Sequence, residues 1–366
     1  MRILQISSAK TYGGGERHFV DLCRGLQAMG HEVFAALRPT NEWQSRLDFL
    51  PPENVLHVSI RNSFGVFSAM RMAEFVRDNS ITIIHAHVAR DYIPASIACL
   101  AAKGSKFVLT RHVVFPLKSF NRFALKNLSR AIGVSEAVGS ELSHIFPHEK
   151  VRVIPNGIDI SVFAAEEPQT ADFEFRDLHS IPRKAPLVGT LGELKSLKGQ
   201  TDFVLAAQEI LKEVPDCRFV IVGKDNSLEK SFRRDLKRLV SVCEMEDKFL
   251  WLDWLDDTTP FYAAIDVFVS PSHSESFGLA ILEAMLRGKA VVATDTDGAR
   301  ELFGGLGELV EMNDPVALAR VVIALLKNET SRTELGRSLQ KRAGDHYSLE
   351  RMLDSVAALY QEVADQ

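Results

Sequence analysis

Short apolar runs alternate with amphipathic stretches along most of the chain. Residues 2–8, 31–37, 55–60, 81–87, 106–112, 130–135 and 151–155 are rich in Val and Ile, with little polar alternation. Strands covered by helices on both faces read this way, so these runs predict a parallel sheet. Between them, residues 16–29 set Phe19, Val20, Leu22, Cys23 and Leu26 at helical spacing and stop at Gly30, a ready helix terminator. Residues 64–78 and 91–102 follow the same rule. Strand–helix–strand repetition implies right-handed crossovers in a doubly wound domain.

The pattern breaks at Asn156-Gly157, a turn signal, and a polar stretch with Glu166, Glu167, Pro168 and Pro182 follows. Alternation restarts with strands at 187–191, 218–223, 249–252, 267–270 and 290–294. It ends in three helical stretches, 315–327, 331–346 and 349–364. The expected architecture is therefore α/β, with two tandem Rossmann-like doubly wound parallel-sheet domains, an interdomain cleft and C-terminal helices. The first domain is expected over residues 1–160 and the second over 161–348. The last helix, 349–366, belongs to no strand–helix–strand unit and is expected to cross back to the first domain.

At 366 residues, 46% apolar and 25% charged, the composition is that of an ordinary soluble protein. It excludes collagen-like, mainly disordered and disulfide-stapled classes. The longest apolar run, 93–102, is about half of the ~18 residues a membrane span needs. Residues 1–6 lead straight into Ser7 and Ser8, which reads as a first strand rather than a signal peptide, and a cytoplasmic location is expected. Cys23, Cys99, Cys217 and Cys243 form no C-x-x-C pair and read as ordinary thiols.

The net charge of −5 gives no global case for nucleic acid, but it is unevenly spread. Residues 1–160 hold 19 basic and 13 acidic side chains, and the remainder holds 24 and 35. No acidic residue lies between Asp91 and Glu136. Within that interval, residues 114–130 mix Phe115, Leu117, Phe120, Phe123 and Leu125 with Lys118, Arg122, Lys126 and Arg130. A basic, aromatic, amphipathic segment suits peripheral contact with an anionic membrane; the plainer reading is a solvated face with a normal apolar stripe.

Ligands of open α/β sheets bind at the carboxyl ends of the strands, so the strand-to-helix junctions are where chemistry is expected. Tyr12-Gly13-Gly14-Gly15-Glu16-Arg17 follows the first strand, and its glycines allow close backbone approach to a phosphate at a helix start. The fifth strand ends in Arg111-His112, a pair able to meet a phosphate and a sugar hydroxyl. His85 and His87 flank Ala86, but no carboxylate or Cys pattern completes a metal site there. In the second half, Gly189 to Gly199 is a Gly-rich junction carrying Lys195 and Lys198, without the ending of a P-loop. The most informative junction is Ser274-Glu275-Ser276-Phe277-Gly278-Leu279-Ala280-Ile281-Leu282-Glu283-Ala284-Met285. Its backbone amides face a phosphate, and Glu275 and Glu283 can accept bonds from sugar hydroxyls. Glu283 sits among apolar neighbours, where a carboxylate needs a partner.

These residues resemble the retaining glycosyltransferases of family 4, which have the GT-B fold, and the resemblance covers essentially the whole chain. It rests on Glu275-x7-Glu283 in its Ser-Glu-Ser-Phe-Gly-Leu setting. Gly14-Gly15-Glu16, Ile154-Pro155-Asn156-Gly157-Ile158-Asp159 and Lys198-Gly199 support it. The resemblance implies a nucleotide-sugar donor, UDP- or GDP-linked, a hexosyl group, and a glycan, lipid-linked or lipopolysaccharide-type acceptor. It also implies a front-face transfer with no metal cofactor. By resemblance, His112, Lys198 and Glu275 are catalytic: His112 touches the donor sugar, Lys198 holds the diphosphate and Glu275 binds sugar hydroxyls. Gly14, Gly15, Arg111, Lys195, Ser276, Phe277, Gly278, Leu279 and Glu283 serve donor binding, Glu283 at the ribose. The family commonly has Arg where this chain has Glu193. Either Glu193 points away or Lys195 or Arg111 must offset that carboxylate, and Arg111 is the expected one. Alternatives are a sugar-nucleotide epimerase of the same fold and a catalytically weak nucleotide-binding homologue. Asp295-Thr296-Asp297 reads as a turn rather than a metal clamp.

Overall fold

The computed structural model describes residues 1–60, 65–161 and 171–366, which divide into two compact units. Unit 1 is Met1–Gly157 with Leu349–Gln366, and unit 2 is Ile158–Ser348. Phe64, at the start of the second expected helix, and Glu166, Glu167 and Pro168 of the polar stretch lie outside the described residues.

Unit 1 runs β1 (Arg2–Ser7), α1 (Gly14–Ala28), β2 (Glu32–Leu37), β3 (Val55–His57), α2 (Val66–Asp78), β4 (Ile83–Ala86), α3 (Tyr92–Ala102), β5 (Lys106–Arg111), α4 (Asn121–Ala124), β6 (Leu128–Gly133), α5 (Glu136–Ser143) and β7 (Val151–Val153). Every strand pair is parallel, in the order β3-β2-β1-β4-β5-β6-β7. The order reverses between β1 and β4. That switch point opens a crevice at the carboxyl ends of these two strands.

Unit 2 runs α6 (Ala171–Leu178), β8 (Leu187–Leu191), α7 (Gln200–Glu213), β9 (Arg218–Val222), α8 (Ser231–Val242), β10 (Phe249–Leu252), α9 (Thr259–Ala264), β11 (Val267–Ser270), α10 (Leu279–Leu286), β12 (Ala290–Thr294), α11 (Asp297–Phe303), β13 (Leu309–Val310), α12 (Pro315–Lys327) and α13 (Glu329–His346). Its six-stranded parallel sheet has the order β10-β9-β8-β11-β12-β13. The switch point here falls between β8 and β11. The two-residue β13 was not foreseen, being too short to show a period. β6 begins at Leu128, two residues before the expected strand.

The last helix, α14 (Leu349–Ala364), belongs to unit 1. Its buried Met352, Val356, Leu359, Tyr360 and Val363 join a core with Ile3, Leu22, Val33 and Ile83. Each aliphatic side chain buried this way contributes about 1.5–3 kcal/mol. A Cβ on Gly25 of α1 would run into the Leu353 side chain, so the glycine is what lets the helix seat. Unit 2 has its own core, from Val188, Phe203, Phe219, Val267, Val292 and Leu318. Cys23, Cys99 and Cys217 are buried and free, and burial pushes their thiols up.

Candidate active site

The switch point of unit 2 gathers most of the residues singled out from the sequence. After β8 the chain makes a short turn, Ser196–Lys198, and passes through Gly199 at φ +64° into α7. A Cβ at Gly199 would collide with the Pro271 carbonyl, and the His273 amide donates to the Leu197 carbonyl at 2.9 Å. These close approaches hold the turn against the end of β11. Lys198 Nζ therefore donates to Glu275 Oε2 at 2.5 Å, and Ser272 Oγ donates to the same oxygen at 3.3 Å. The site thus pairs a cation with a carboxylate rather than leaving two free charges.

Glu275 opens the loop to α10. Phe277 is buried against Tyr347, ring centroids 5.7 Å apart. Gly278 caps the helix at φ +102°, a conformation that side-chain-bearing residues rarely adopt. The Gly298 amide donates to the Glu275 carbonyl at 2.9 Å, and a Cβ on Gly298 would strike the Phe277 backbone. The loop is thus fixed from both sides. Ser276 lies half-buried within it, and Leu279, also half-buried, is the first residue of the helix. Glu283, one turn on, is buried and accepts from Tyr262 Oη at 3.0 Å. The partner its apolar surroundings demand is thus Tyr262, which nothing in the motif announced.

Glu193 is compensated locally. Lys195 Nζ donates to it at 2.6 Å and Asn226 Nδ2 at 3.0 Å. Burial raises the Glu193 carboxyl, but these two donors outweigh it and leave the group below the usual carboxylate range. The expectation that Arg111 does this job is corrected. Arg111 is buried at the end of β5 and donates to the Phe115 carbonyl. Lys195 is nearer in sequence and exposed, so it swings onto Glu193 at no cost in burial. Asp295 and Asp297 both bind Arg300, and Thr296 caps α11.

The switch point of unit 1 collects imidazoles. Gly13 is the extended cap of α1, and Gly14 and Gly15 are its first residues. A Cβ at Gly15 would lie 3.8 Å from the His112 ring, in ordinary contact. His112 follows β5 and His87 follows β4. His18, one turn into α1, stands edge-on to His112 at 4.9 Å between centroids. His87 lies 5.6 Å from His18 and 5.8 Å from His112. Burial pushes His18 down to about 4, with Asn156 pulling weakly the other way. Burial, and then the neighbouring imidazoles, hold His87 and His112 well below the ordinary range. All three rings are neutral at pH 7.

His85 is engaged elsewhere. Its Nδ1 meets Tyr360 Oη at 2.5 Å and its Nε2 meets Thr110 Oγ1 at 2.7 Å. Gln5 donates to the same Tyr360 oxygen at 3.0 Å and meets His87 Nε2 through its Oε1 at 2.8 Å. His18, Gln5 and Tyr360 were absent from the sequence reading, because each reaches the site only through folding. The Glu-Arg-His run of α1 gave the single usable signal, a polar residue on the buried face of that helix.

A switch point with a helix start, a lysine–carboxylate pair and a second buried carboxylate suits a phosphorylated, hydroxyl-rich ligand. That is the equipment of an enzyme handling nucleotide-linked sugars. Comparison with known proteins agrees. Residues 12–162 match the family described as Glycosyltransferase Family 4, and residues 185–328 match Glycosyl transferases group 1. The chain belongs to this family: it is a glycosyltransferase that takes its sugar from a nucleotide-sugar.

Among curated relatives, a lipopolysaccharide core biosynthesis mannosyltransferase of Rhizobium leguminosarum bv. viciae is 28% identical over 69% of this chain and 74% of its own length. N-acetyl-alpha-D-glucosaminyl L-malate synthase of Bacillus anthracis is 25% identical over 98% of this chain and 96% of its own. A phosphatidyl-myo-inositol mannosyltransferase of Mycolicibacterium smegmatis is 27% identical over 87% and 83%. Among solved structures, HepE of Anabaena in complex with UDP-glucose has a TM-score of 0.87 at 21% identity, covering 99% of this chain and all of that one. A glycosyltransferase of Rickettsia africae has a TM-score of 0.88 at 24% identity, covering 99% and 98%. The fold is GT-B.

Proposed function

We propose that this chain moves a hexosyl group from a UDP- or GDP-linked sugar to a hydroxyl of a glycan, lipid-linked or lipopolysaccharide-type acceptor, with retention at the anomeric carbon. The observation that carries this reading is the Lys198–Glu275 pair beside the start of α10, with Glu283 one turn along the helix. In it, residues 161–348 bind the donor, residues 1–160 bind the acceptor, and residues 349–366 brace the latter. Lys198 and the amides of Phe277, Gly278 and Leu279 take the diphosphate, with Ser276 and Lys195 beside them. Glu275 takes sugar hydroxyls and Glu283 the ribose. Gly14, Gly15, Arg111 and His112 contribute from unit 1, His112 at the sugar.

The bond from the anomeric carbon to the diphosphate oxygen breaks, and the acceptor oxygen bonds to the same face. The acceptor proton passes to the departing phosphate. The protein supplies positioning and stabilisation of the leaving charge, with no metal needed for the transfer. The pairing of Lys195 with Glu193 supports an active enzyme over the catalytically weak nucleotide-binding homologue.

Among the described residues, no helix is long and apolar enough to cross a membrane. Phe115, Phe120 and Phe123 are nonetheless exposed beside exposed Lys118, Arg122 and Lys126. That combination supports peripheral attachment at the cytoplasmic face of an anionic membrane. Arg130 takes no part in it, being buried and bound to Glu362.

A panel of UDP-, GDP- and ADP-sugars, with and without chelator, tests the reading by thermal shift and nucleotide release. A donor at a hundred times its Kd should stabilise the fold by ~2.7 kcal/mol. One nucleotide-sugar should do so, indifferent to chelator, and Glu275→Ala should abolish its slow hydrolysis. Stabilisation by none of them, or release that survives Glu275→Ala, refutes it.

A further inference from the structure

We propose that His18, His87 and His112 form a three-histidine site for a divalent first-row transition ion, zinc foremost, at the switch point of unit 1. One ring nitrogen from each lies within 4.8 Å of the others. Tetrahedral zinc with bonds of about 2.0–2.1 Å needs such nitrogens about 3.4 Å apart. The closure required is therefore of the order of an ångström, within reach of small side-chain rotations.

The unsatisfied atoms point the same way. Both nitrogens of His18, Nδ1 of His87 and Nε2 of His112 are buried and reach no partner at ordinary hydrogen-bond geometry among the described residues, with Asn156 the polar side chain that acts on His18. His18 and His87 are 6% and 4% exposed. A buried imidazole nitrogen without a partner is costly, and three such rings face one another here.

The surroundings fix the tautomer of His87. Gln5 spends its amide N–H on Tyr360, so the oxygen it offers His87 Nε2 can only accept. His87 Nε2 therefore carries the proton and donates to Gln5, which leaves a bare lone pair on Nδ1, the unsatisfied atom. Metal-binding histidines are held in this way, the far nitrogen donating to an outer partner that orients the ring. Imidazole ligands suit zinc, copper and nickel. The three neutral rings leave the ion its full charge, so its fourth position favours water or an anionic oxygen.

One consequence rests on the proposed role of His112. An ion that takes a nitrogen of His112 withdraws the ring from the donor sugar, so zinc inhibits transfer and a chelator restores it. In the sequence, His85 and His87 stand without a carboxylate or Cys pattern to complete a metal site. The structure turns His85 toward Tyr360 and Thr110 and brings His18 and His112 to His87 instead.

The test is a titration of the untagged full chain with Co2+, followed by visible absorption. The proposal expects a four-coordinate band saturating at one ion per chain and displaced by Zn2+. His18→Gln and His87→Gln should each weaken binding more than ~100-fold, and Gln5→Leu about 10- to 100-fold. His144→Ala, at an exposed imidazole, should leave it unchanged. Nitrogen-15 spectra of the wild-type histidine rings, which need no variant to fold, should show three imidazoles shifting together with Zn2+. No band, a band that survives His18→Gln in a folded protein, or imidazole shifts confined to exposed rings overturns the site. Stoichiometric binding without inhibition overturns the role given to His112 and leaves the metal site standing.

Discussion

Glu275→Gln separates the two jobs proposed for the Lys198–Glu275 pair. The lysine Nζ lies 2.5 Å from the carboxylate. At that distance two unit charges attract by about 7 kcal/mol at an effective dielectric of 20. The side chains keep 25% and 16% of their exposure, so solvent and desolvation offset most of this. A net of ~1–2 kcal/mol remains, between an exposed ion pair and a buried hydrogen bond to a charged group. A diphosphate that recruits Lys198 must break that bond first. Glutamine keeps the shape and a hydrogen-bonding oxygen but releases the charge, so a bare nucleoside diphosphate should bind about 5- to 30-fold more tightly. Transfer should move the opposite way, because the carboxylate proposed to grip the sugar is lost; a fall in kcat of about 100-fold is expected. Isothermal titration with the diphosphate and a steady-state transfer assay read the two quantities separately. Weaker diphosphate binding by the variant would refute the idea that Lys198 is shared between carboxylate and phosphate. An undiminished kcat would remove Glu275 from the sugar.

Gly199→Ala meets both a left-handed backbone at φ +64° and the Pro271 carbonyl. It should cost at least ~2 kcal/mol in urea unfolding and lower transfer by displacing Lys198; a stability within 0.5 kcal/mol of wild type, the scatter of neutral surface changes, would contradict the packing. Tyr262→Phe removes one hydrogen bond from Glu283 and should raise KM for the donor about fivefold with little change in kcat; an unchanged KM would detach Glu283 from donor binding. Asp91 accepts from the Ser8 amide at 2.8 Å, and burial lifts its carboxyl from 3.8 to about 6. The folded state binds its proton more tightly than the unfolded state, so this group costs stability as pH rises from about 4 to 6 and the full cost persists above. Measured by urea unfolding, Asp91→Asn should therefore gain on wild type by about 2.4 kcal/mol between pH 4 and pH 7; a difference independent of pH would refute the assignment.

What the sequence made legible follows from range. Most strands are buried and the helices between them are largely amphipathic, so both periods are written locally and the alternation could be read directly. Gly278, Glu275 and Glu283 lie within nine residues, and their arrangement on one loop and helix is a property of that segment. β13 escaped because two residues carry no period. The start of β6 escaped because Leu128-Ser129-Arg130 mixes polar and apolar positions, although Leu128 and Arg130 are both buried. The partner of Glu193 was expected to be Arg111 and is Lys195, because sequence does not show that Arg111 is already spent on the Phe115 carbonyl.

The imidazole cluster shows most clearly what local pattern cannot carry. Its three rings come from α1, from the end of β4 and from the end of β5, elements brought side by side only by strand order β1-β4-β5. The proton on His87 is decided still farther away. Tyr360 of α14 takes the Gln5 N–H, which turns the Gln5 oxygen to His87, and Tyr360 also engages His85. A helix 275 residues beyond His85 in sequence thus sets which nitrogen of the neighbouring His87 faces its partners. Gln5 and Tyr360 are fully buried and each satisfies the other, so changing either leaves a buried polar group unpaired and frees the His87 tautomer. The terminal helix is therefore more than a brace for the apolar face of α1. It supplies the polar anchor from which the protonation pattern at the edge of the first sheet is built.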